Sequence, residues 1–497
     1  MIFYDNHKKH KKTQEKNLTF SIFEDGVKNL DDSVAKPMQC KTFYNLSYVD
    51  GALKTGLGFR DLHVPASTSD LKNEHTFDMS EISEIDALWV DRWFNTAIDG
   101  YQYQLVFMDA SLTLWTVPMI DEFEGYVWFK NSNRVKSFPL SHCNYRIDNV
   151  DSFILFTNEG MLYFASMEEG TYTSVPAIIS SVVHYDNFFA ITNTNRNTFL
   201  YSKNLNLKTW TESDSTEVEF MDNRGSFTKL VAFNDYVYLF REYGITKISI
   251  YTTKDDFSFT HLYISSSKIY EDSVCVCGDK IFFMTRDGLY TFNGNSVDKV
   301  AQDFDKYFQH LDNSHCTSAC LNGKYYIATR CNFDDGESVG CESGDYVNNV
   351  VFSVDIFSFA LDLYRGVDVR NLVAVDNPYM SKLCACFYGN NKAHLAELTF
   401  DGATFGENNL KCWKSFMTDL DHVGKLKKIK ELIIETKYDV EVEIVSDEEV
   451  KTYKISGSED VQHIQTCISG TKFQFIFKTD AQKCEIRKPM IVFDVVS

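Results

Sequence analysis

The sequence LVAFNDYVYLFREYGITKISI, residues 230–250, is followed by SVCVCGDKIFFMTRDGLYTFNG, residues 273–294, and both share one pattern. A polar turn pair precedes a run of aromatic and aliphatic residues, and a glycine precedes a second such run. These residues recur at an interval of 44: Asn234-Asp235 with Gly244, then Gly278-Asp279 with Gly288. A third turn pair, Asn322-Gly323, follows at the same interval. The interval indicates a repeating structural unit.

Each repeat predicts two antiparallel strands joined by a hairpin, because β-prone runs are bounded by turn residues. One hairpin cannot bury both of its faces. Several hairpins stacked around a common axis bury those faces between neighbours and leave only short edges. Propeller blades repeat at roughly 40–45 residues. The repeat therefore predicts a β-propeller.

Composition favours strands throughout the chain. The 497 residues include 27 Tyr and 40 Phe but only 7 Pro, and hydrophobic residues make up 44%. Aromatic residues suit a pleated, partly buried surface. We expect an all-β protein with a large core.

The formal net charge of −21 makes the chain a poor general binder of nucleic acid. Nonspecific affinity for nucleic acid comes from Lys and Arg that neutralise phosphates. Repulsion from DNA is the expected behaviour. Composition leaves open whether that repulsion serves a channel wall or only solubility.

The 13 cysteines are an odd number and are scattered rather than spaced as a disulfide framework. No secretory apolar segment opens the chain, and no stretch approaches the roughly 18 apolar residues of a membrane span. We expect folding in a reducing cytosol and no membrane span.

Residues 1–84 are predicted to form an N-terminal arm, a hairpin and a linker. The first 17 residues are polar and basic, which indicates either a frayed terminus or an arm that orders against a neighbouring subunit or an acidic surface. Asp50-Gly51 predicts a hairpin turn between short apolar runs. Residues 66–84 indicate a linker or loop.

Residues 85–410 are predicted to form the propeller, with seven blades, or six if the first or last unit belongs to another layer. The strand pairs of the units are 87–90 with 105–114, 153–156 with 161–164, 188–191 with 199–202, 236–240 with 245–251, 280–284 with 289–292, 321–330 with 350–355, and 383–387 with 394–399.

Two insertions interrupt this pattern. Residues 303–312 carry Phe304, Tyr307, Phe308 and Leu311 at helical spacing, which predicts a short amphipathic helix. Residues 332–347 are rich in Asp, Glu, Gly and Ser and predict an exposed loop.

Residues 411–497 change character and predict a small, separate β-sandwich. Phe473, Phe475 and Phe477 alternate with Gln474 and Ile476. This period of two predicts a half-buried strand.

Two Cys-x-Cys pairs, Cys275 with Cys277 and Cys384 with Cys386, fall inside β-patterned runs. Close cysteine pairs occur in metal sites, but the two side chains share one face of a strand, so small core residues are the favoured interpretation. A looser group fits no trusted ligand spacing: His315, Cys316, Cys320, Cys331 and Cys341. We predict no metal site.

No P-loop, nucleophile elbow or zinc-protease motif occurs in the sequence. Glycosidase chemistry needs two positioned carboxylates, and no pair stands out among the acidic residues. Residues 202–210, SKNLNLKTW, differ from a sialidase Asp-box in length and residues and predict a turn with a packed Trp. We expect no catalytic residue, no cofactor-binding residue and no enzyme activity.

The segments SIFEDGVKNLDDS (21–33) and YNLSYVDGALKTGLGF (44–59) resemble the start of tail nozzle proteins of short-tailed bacteriophages, also called packaged-DNA stabilisation proteins. FLYSKNLNLKTW (199–210), GSFTKLVAFNDYVYLFREYGITKIS (225–249) and TRDGLYTFNG (285–294) resemble the middle of that family. The matching positions at the start are Gly26, Asn29, Asn45, Gly51, Leu53 and Gly56. Thr55 stands near a position where the family often has Arg.

The resemblance implies a non-enzymatic virion protein located in the phage tail and folded in the bacterial cytoplasm. It implies a ring of several copies, usually six, below the portal and adaptor. Such a ring holds packaged DNA, contacts other tail proteins and conducts the DNA at ejection without reading its sequence. A strongly negative protein agrees with a conduit that does not grip DNA.

Two other functions remain open at this stage. A propeller can act as an adhesin that binds host-surface glycans through exposed aromatic side chains. A carbohydrate-active enzyme would need a pair of carboxylates in the axial pocket.

Overall fold

The computed structural model describes most of the chain. The described residues are 14–19, 40–62, 84–96, 99–119, 129–164, 170–185, 187–203, 207–208, 210, 215–220, 222–249, 257–302, 305–308, 311–333, 346–376, 380–389, 392–399, 403–404 and 407–496. Strands predominate among these residues, and the α-helix α1, Asp305–Phe308, is four residues long. The described protein is all-β, as predicted.

The strands follow one another closely along the chain. The first are β1 Gln14–Thr19, β2 Cys40–Tyr44, β3 Leu46–Val49, β4 Ala52–Thr55 and β5 Gly58–Asp61. The next are β6 Ile85–Asn95, β7 Gly100–Asp109, β8 Thr113–Met119, β9 Phe129–Arg134, β10 Ser141–Ile147, β11 Val150–Thr157, β12 Gly160–Phe164, β13 Gly170–Thr173, β14 Ile178–His184, β15 Asn187–Thr192, β16 Thr198–Lys203, β17 Ser215–Glu219, β18 Phe227–Phe233, β19 Tyr236–Arg241, β20 Gly244–Ser249, β21 Ser258–Ile264, β22 Ile269–Cys277, β23 Lys280–Thr285, β24 Gly288–Phe292 and β25 Val297–Val300.

The remaining strands complete the list. They are β26 Thr317–Leu321, β27 Lys324–Thr329, β28 Val350–Asp355, β29 Leu361–Arg365, β30 Asp368–Asp376, β31 Ser381–Gly389, β32 Lys392–Thr399, β33 Ala403–Thr404, β34 Glu407–Asn408, β35 Lys411–Ser415, β36 Leu426–Thr436, β37 Val440–Ser446, β38 Val450–Ile455, β39 Gln462–Gly470, β40 Phe473–Thr479 and β41 Glu485–Val496.

Contacts group the chain into two compact units. The larger unit is Arg60–Phe359 with Gly366–Leu398, and the smaller is Met1–Phe59 with Ala360–Arg365 and Thr399–Ser497. The sequence analysis places residues 1–84, 85–410 and 411–497 in separate parts. The structure instead groups the N-terminal strands β2, β3 and β4 with the C-terminal residues.

The larger unit consists of consecutive antiparallel sheets, which we number in chain order. Sheets 1 to 5 each have four strands in up-and-down order: β6–β9, β10–β13, β14–β17, β18–β21 and β22–β25. Sheet 6 contributes β26, β27 and β28 to this unit, and sheet 7 contributes β30, β31 and β32. Each of the seven units predicted from the sequence coincides with one sheet. Consecutive four-stranded antiparallel sheets are typical of a β-propeller.

The repeated turn pairs close the first hairpin of sheets 4, 5 and 6, as predicted. Asn234 and Asp235 have φ of 47° and 63°. Two residues with positive φ twist the chain in the sense that matches the flanking strands. Gly278 and the Asn322-Gly323 pair also have positive φ. The predicted Asp50-Gly51 turn likewise joins β3 to β4 in the smaller unit.

The core lies between neighbouring sheets. Val231, Tyr238 and Phe240 of sheet 4 pack in one buried cluster with Ile281 and Phe283 of sheet 5. The rings of Phe240 and Phe283 meet edge to face at 5.7 Å between centroids. Aromatic pairs of this geometry stabilise a fold by about 0.5–1.5 kcal/mol beyond their buried area.

Two predicted insertions are only partly described. Helix α1 confirms the predicted helix over Asp305–Phe308, and the Tyr307 ring packs on Phe333 at 5.2 Å between centroids. Residues 303–304 and 309–310 lie outside the described residues. Most of the predicted loop, residues 334–345, and the predicted arm up to residue 13 also lie outside them.

The smaller unit contains two sheets. Sheet 8 has the order β3-β4-β41-β36-β39, with β1 also paired to β41, and sheet 9 has the order β2-β35-β40-β37-β38. Leu53 of β4 opposes Ile486 of β41, and Phe43 of β2 opposes Trp413 of β35. These pairs join chain segments some 400 residues apart. Periodicity identifies a strand but does not specify its partner, so the sequence analysis separates the two ends.

Strand β40 is buried on both faces, whereas the sequence predicts a half-buried strand. Phe473, Phe475 and Phe477 are buried as expected, but Gln474 and Ile476 on the opposite face are buried too. The Gln474 side-chain amide donates to the Ser415 carbonyl at 2.8 Å. A hydrogen-bonded polar side chain can occupy a buried face, so alternation in sequence does not prove exposure.

Candidate functional site

The first strands of the seven sheets contact one another in chain order. These strands are β6, β10, β14, β18, β22, β26 and β30, and β30 of sheet 7 in turn contacts β6 of sheet 1. The first strands of β-propeller blades line the axis, and the axis is where propeller proteins commonly place functional groups.

Each junction of this circuit is bridged by a side chain. We call the seven bridging side chains the polar ring: Asn144, Ser141, Ser180, Lys229, Ser318, Thr317 and Arg370. Their contacts are Asn144 Nδ2 to Val90 O at 2.7 Å, Ser141 Oγ to Ile178 O at 2.7 Å, Leu230 N to Ser180 Oγ at 3.0 Å, Lys229 Nζ to Val274 O at 2.9 Å, Ser318 Oγ to Asp272 O at 2.8 Å, Leu372 N to Thr317 Oγ1 at 3.2 Å and Arg370 Nη1 to Glu84 Oε1 at 2.8 Å. The polar ring ties every sheet to its neighbours.

Lys229 of the polar ring makes two hydrogen bonds to sheet 5. Its ammonium group donates to the carbonyl oxygens of Val274, at 2.9 Å, and Glu271, at 3.2 Å. Its charge also acts on His142 in sheet 2 and on Cys316, which immediately precedes β26 of sheet 6. The hydrogen bonds of Lys229 therefore go to sheet 5, while its positive charge also acts on residues of sheets 2 and 6.

His142 lies on β10 and is held as a neutral ring. Burial, assisted by the charge of Lys229, lowers the pKa of His142 to about 4. The imidazole packs against Trp89 and Phe153, with ring centroids 6.0 and 6.1 Å away. The residue is nevertheless exposed to solvent on β10, so it is a neutral surface imidazole at neutral pH rather than part of the core.

Two carboxyl groups of the first strands are shielded from water. Burial raises the pKa of Asp91 to about 6, although the Gln104 amide donates to Asp91 Oδ2 at 2.7 Å and opposes the shift. Burial, with the neighbouring Asp272 charge, also raises the pKa of Glu271. Raised carboxyl pKa values occur in catalytic acids and in structural networks alike. Asp91 and Glu271 are carboxyl groups with raised pKa values that sequence reasoning did not identify.

Sequence reasoning also did not identify an ion pair between the buried Arg241 and the partly exposed Asp222. Arg241, fully buried at the end of β19, lies with Nη1 2.6 Å from Asp222 Oδ1, and its Nη2 donates to the Gly225 carbonyl. Hydrogen bonds from Arg241 and Arg224 hold the pKa of Asp222 far below its ordinary value, overcoming partial desolvation. No sequence motif links these positions. The pair fixes a corner of sheet 4.

The two Cys-x-Cys pairs differ in burial. Cys384 and Cys386 are buried core residues, as predicted. Cys277 is also buried, but Cys275 is only half-buried. Their sulfur atoms are 4.0 Å apart. No group of three or more His, Cys, Asp or Glu side chains in the described part of the chain could hold a metal ion.

The other weighed motifs occupy structural positions. Trp210 Nε1 donates to the Leu207 carbonyl at 2.9 Å, and its ring packs on Phe188, which confirms the packed Trp; residues 204–206 and 209 of the predicted turn lie outside the described residues. Cys316 and Cys331 are buried and Cys320 is half-buried, whereas Cys341 lies outside the described residues. No helix among the described residues is long and apolar enough to cross a membrane.

Three positions of the N-terminal motif lie where the backbone has positive φ or where another residue approaches closely. Asn45 has a φ of 58°; its amide donates to the Leu410 carbonyl and accepts from the Arg365 N–H, both at 2.8 Å. Gly51 has a φ of 75° in the β3–β4 turn. At Gly56 a Cβ would lie 2.4 Å from the Tyr364 ring. Gly26 and Asn29 lie outside the described residues.

Two more positions of that motif are buried. Leu53 is fully buried. The Thr55 hydroxyl accepts a hydrogen bond from the Cys484 N–H at 2.7 Å. Thr55, which lies near a position where the phage family often has Arg, therefore bonds the C-terminal segment of the smaller unit.

Comparison with known proteins finds similar structures but no matching family. No protein-family model matches the chain, and no curated protein matches it. A catalytically inactive virginiamycin B lyase from Staphylococcus aureus, solved with quinupristin, is similar with a TM-score of 0.38 and 8% identity over 63% of this chain and 99% of that chain. A fungal alcohol oxidase of the AA5 family, solved with copper, has a TM-score of 0.40 and 10% identity over 82% and 99%. Kluyveromyces lactis Hsv2 has a TM-score of 0.30 and 7% identity over 52% and 81%. None of these similarities assigns a function.

Proposed function

We propose that the seven sheets are the blades of one seven-bladed β-propeller, and that the chain is a non-enzymatic structural subunit of a bacteriophage tail. The subunit is of the tail nozzle or packaged-DNA stabilisation type. Copies form a ring, with a hexamer expected, that contacts the portal or adaptor, retains packaged DNA and conducts it at ejection.

The polar ring carries this proposal. Ser141, Lys229 and Ser318 each bond a backbone carbonyl of a neighbouring first strand. Hydrogen bonds to carbonyls hold the sheets in place, and a lysine whose protons are committed to two carbonyls is not positioned as a base or a Schiff-base nucleophile. The axis therefore serves cohesion, which suits a subunit that bears mechanical load.

The N-terminal motif supplies the second support. Asn45 and Gly56 occupy positions where the backbone admits few other residues. The residues that resemble the phage family are thus the ones on which the smaller unit is built. A shared motif of this kind favours a shared structure of that unit.

Charge is the third support. A net charge of −21 repels DNA, because phosphates and carboxylates have the same sign. A conduit for DNA requires weak contact with its cargo, and few phosphate contacts also make any residual binding weakly dependent on salt.

Quantitative proteomics on density-banded virus particles tests the proposal. The chain is expected in the particles at half the portal copy number, or equal to it, and a known non-virion protein of the same lysate serves as the control. Absence from banded particles, or a trace amount that washes away with the control, would overturn the tail proposal.

Exposed aromatic residues favour the adhesin as a second candidate. Phe357 follows strand β28 and is 75% exposed, and Tyr185 in the β14–β15 turn is 65% exposed. Aromatic faces at turns can stack on sugar rings. Binding of the full chain to a glycan array, abolished by Tyr185→Ala and Phe357→Ala, would select this function. An empty array would remove it.

A further inference from the structure

A cavity of about 380 Å³ opens on sheet 9 of the smaller unit, where β37 begins and β38 ends. Charged side chains of both signs line it: Asp439, Glu441 and Asp480 are acidic, and Lys454 and Lys478 are basic. Small-molecule sites in proteins have volumes of roughly 300–1,000 Å³ and place a few polar groups among apolar ones. The cavity is therefore large enough for a ligand of the size of an amino acid.

Two opposite charges in this cavity face each other without pairing. Glu441 of β37 lies directly opposite Lys454 of β38 in the strand register. Cβ atoms at such positions are about 4.5–5.5 Å apart, which is close enough for an ion pair. Within the residues that the structure describes, however, Glu441, Lys454 and Asp480 make no ion pair and no side-chain hydrogen bond. The cavity thus presents two unpaired carboxylates and one unpaired ammonium group to a ligand.

This charge pattern indicates the chemistry of the ligand. Two carboxylates and one ammonium group are complemented by two cationic groups and one carboxylate, which are the charges of L-arginine and of L-lysine. Nowhere in the described ranges do three His, Cys, Asp or Glu side chains converge as a metal site, so separate organic cations fit these carboxylates better than a metal ion does. Leu410 and Ile455 also line the cavity and offer apolar contact to an aliphatic stem.

We propose that this cavity binds a basic amino-acid unit, with Lys454 holding its carboxylate and with Glu441 and Asp480 holding its cationic groups. Hydrogen bonds between charged partners are stronger than neutral ones, and salt screens those near the surface. Binding should therefore be strongest at low ionic strength. Asp439 shapes the rim of the cavity, because its Oδ1 accepts the Gly457 N–H at 2.8 Å.

Two sources supply this chemistry: the free amino acid, and the lysine-rich segment 8–12 of a second copy, which lies outside the described residues. Gln14 of β1 pairs with Val495, so the chain enters β1 at that end of β41. The cavity lies at the other end, because Thr436 pairs with Ile486 shortly before β37 begins. Val495 and Ile486 are roughly 30 Å apart along the strand. Segment 8–12 lies within about 20 Å of extended chain from Gln14, short of its own cavity. This second source rests on the proposed ring.

Isothermal titration calorimetry of the full chain in low-salt buffer tests the ligand chemistry. L-arginine is compared with agmatine, which keeps both cationic groups and lacks the carboxylate. Glu441→Gln is expected to weaken both ligands by about fivefold, whereas Lys454→Gln should weaken L-arginine by about that factor and leave agmatine unchanged. Both side chains are at least partly exposed, so both variants should fold. Glu443→Gln, on the same face of β37 but outside the cavity, is the matched control.

A synthetic peptide of residues 1–13 distinguishes the two sources. Peptide binding that L-arginine displaces and Glu441→Gln weakens would assign the cavity to the arm of a second copy. Binding of L-arginine without the peptide would assign it to the free amino acid. No binding of either probe, or binding that Glu441→Gln leaves unchanged, would overturn the proposal. The titration with L-arginine is independent of the ring and of the phage tail, which proteomics on the particles tests separately.

Discussion

The ammonium group of Lys229 lies 2.9 Å from the carbonyl oxygen of Val274 and so joins sheet 4 to sheet 5. The two residues are 45 positions apart, about one repeat of the sequence pattern. A charged donor on a neutral carbonyl gives a stronger bond than a neutral donor does. Lys229 thus adds a charged hydrogen bond to the contact between these two first strands.

Replacing Lys229 with Met should destabilise the larger unit. The change keeps the aliphatic stem and removes the donors to Val274 and Glu271, at a cost of about 1–3 kcal/mol in the free energy of unfolding. Urea unfolding of the full chain at neutral pH measures it. Lys247→Met in the same sheet is the matched control, since Lys247 contacts the Tyr236 ring of its own sheet. Equal stability of the two variants would show that the bridge contributes nothing.

Asp91 should make stability depend on pH between about 4 and 6. Burial raises the pKa of Asp91 to about 6 in the folded protein, so the folded state holds a proton that the unfolded chain releases near 4. The stabilising contribution is present below the lower value and is lost as pH rises through the higher one. At neutral pH, Asp91→Asn should therefore be more stable than the native chain by about 3 kcal/mol.

Tm values at about pH 4 and pH 7 check this expectation. The gap between Asp91→Asn and the native protein should widen as pH rises. Asp148→Asn, at an exposed turn where Lys208 pairs with the carboxylate, is the control and should show little change. A gap that is constant with pH would mean that Asp91 ionises normally.

The Asp222–Arg241 pair predicts the opposite pH dependence. Arg241 and Arg224 hold the pKa of Asp222 far below its ordinary value, so this contribution is present above about pH 4 and is lost as pH falls further. Asp222→Ala leaves the fully buried Arg241 without its carboxylate and should cost about 3–5 kcal/mol at neutral pH. Asp279→Ala, which breaks an exposed pair with Lys280, should cost less than about 1 kcal/mol. Equal losses in these two variants would contradict the assignment.

Much of the larger unit could be predicted from the sequence because its signals are local. Asn234-Asp235 and Gly278-Asp279 mark hairpin turns, and the glycines that follow them mark close approaches of the backbone: a Cβ at Gly244 would lie 2.7 Å from the Tyr263 carbonyl. Turn chemistry and strand length are encoded within about ten residues. The predicted strand pairs therefore fall in separate sheets, although the predicted runs 105–114 and 321–330 each cross a turn, between β7 and β8 and between β26 and β27.

The site and the smaller unit could not be predicted in the same way. The contact from Lys229 to Val274 and that from Arg241 to Asp222 join separate segments, and nothing in the local pattern indicates which carbonyl or carboxylate a cation will meet. The pairing of Leu53 with Ile486 depends on the assembled sheet. Burial decides the pKa of Asp91, and burial is a property of the fold.

Asn45 gives the sharpest test of the N-terminal motif. Its left-handed backbone, with φ of 58°, favours Asn or Gly, and its amide bonds both the Leu410 carbonyl and the Arg365 N–H. Asn45→Ala should lose the backbone preference and both hydrogen bonds, about 2–4 kcal/mol in all. Asn45→Gly restores the backbone alone, and Asn45→Asp also keeps the acceptor for Arg365.

Unfolding of the full chain in urea should therefore rank the native protein first, then Asn45→Asp, Asn45→Gly and Asn45→Ala. Asn149→Ala, at a φ of 66° in the β10–β11 turn, measures the backbone cost by itself. If Asn45→Ala were no worse than Asn149→Ala, the amide contacts would contribute nothing. The Asn of the motif would then reflect backbone conformation alone, and its value as a mark of shared structure would fall to that of any turn residue.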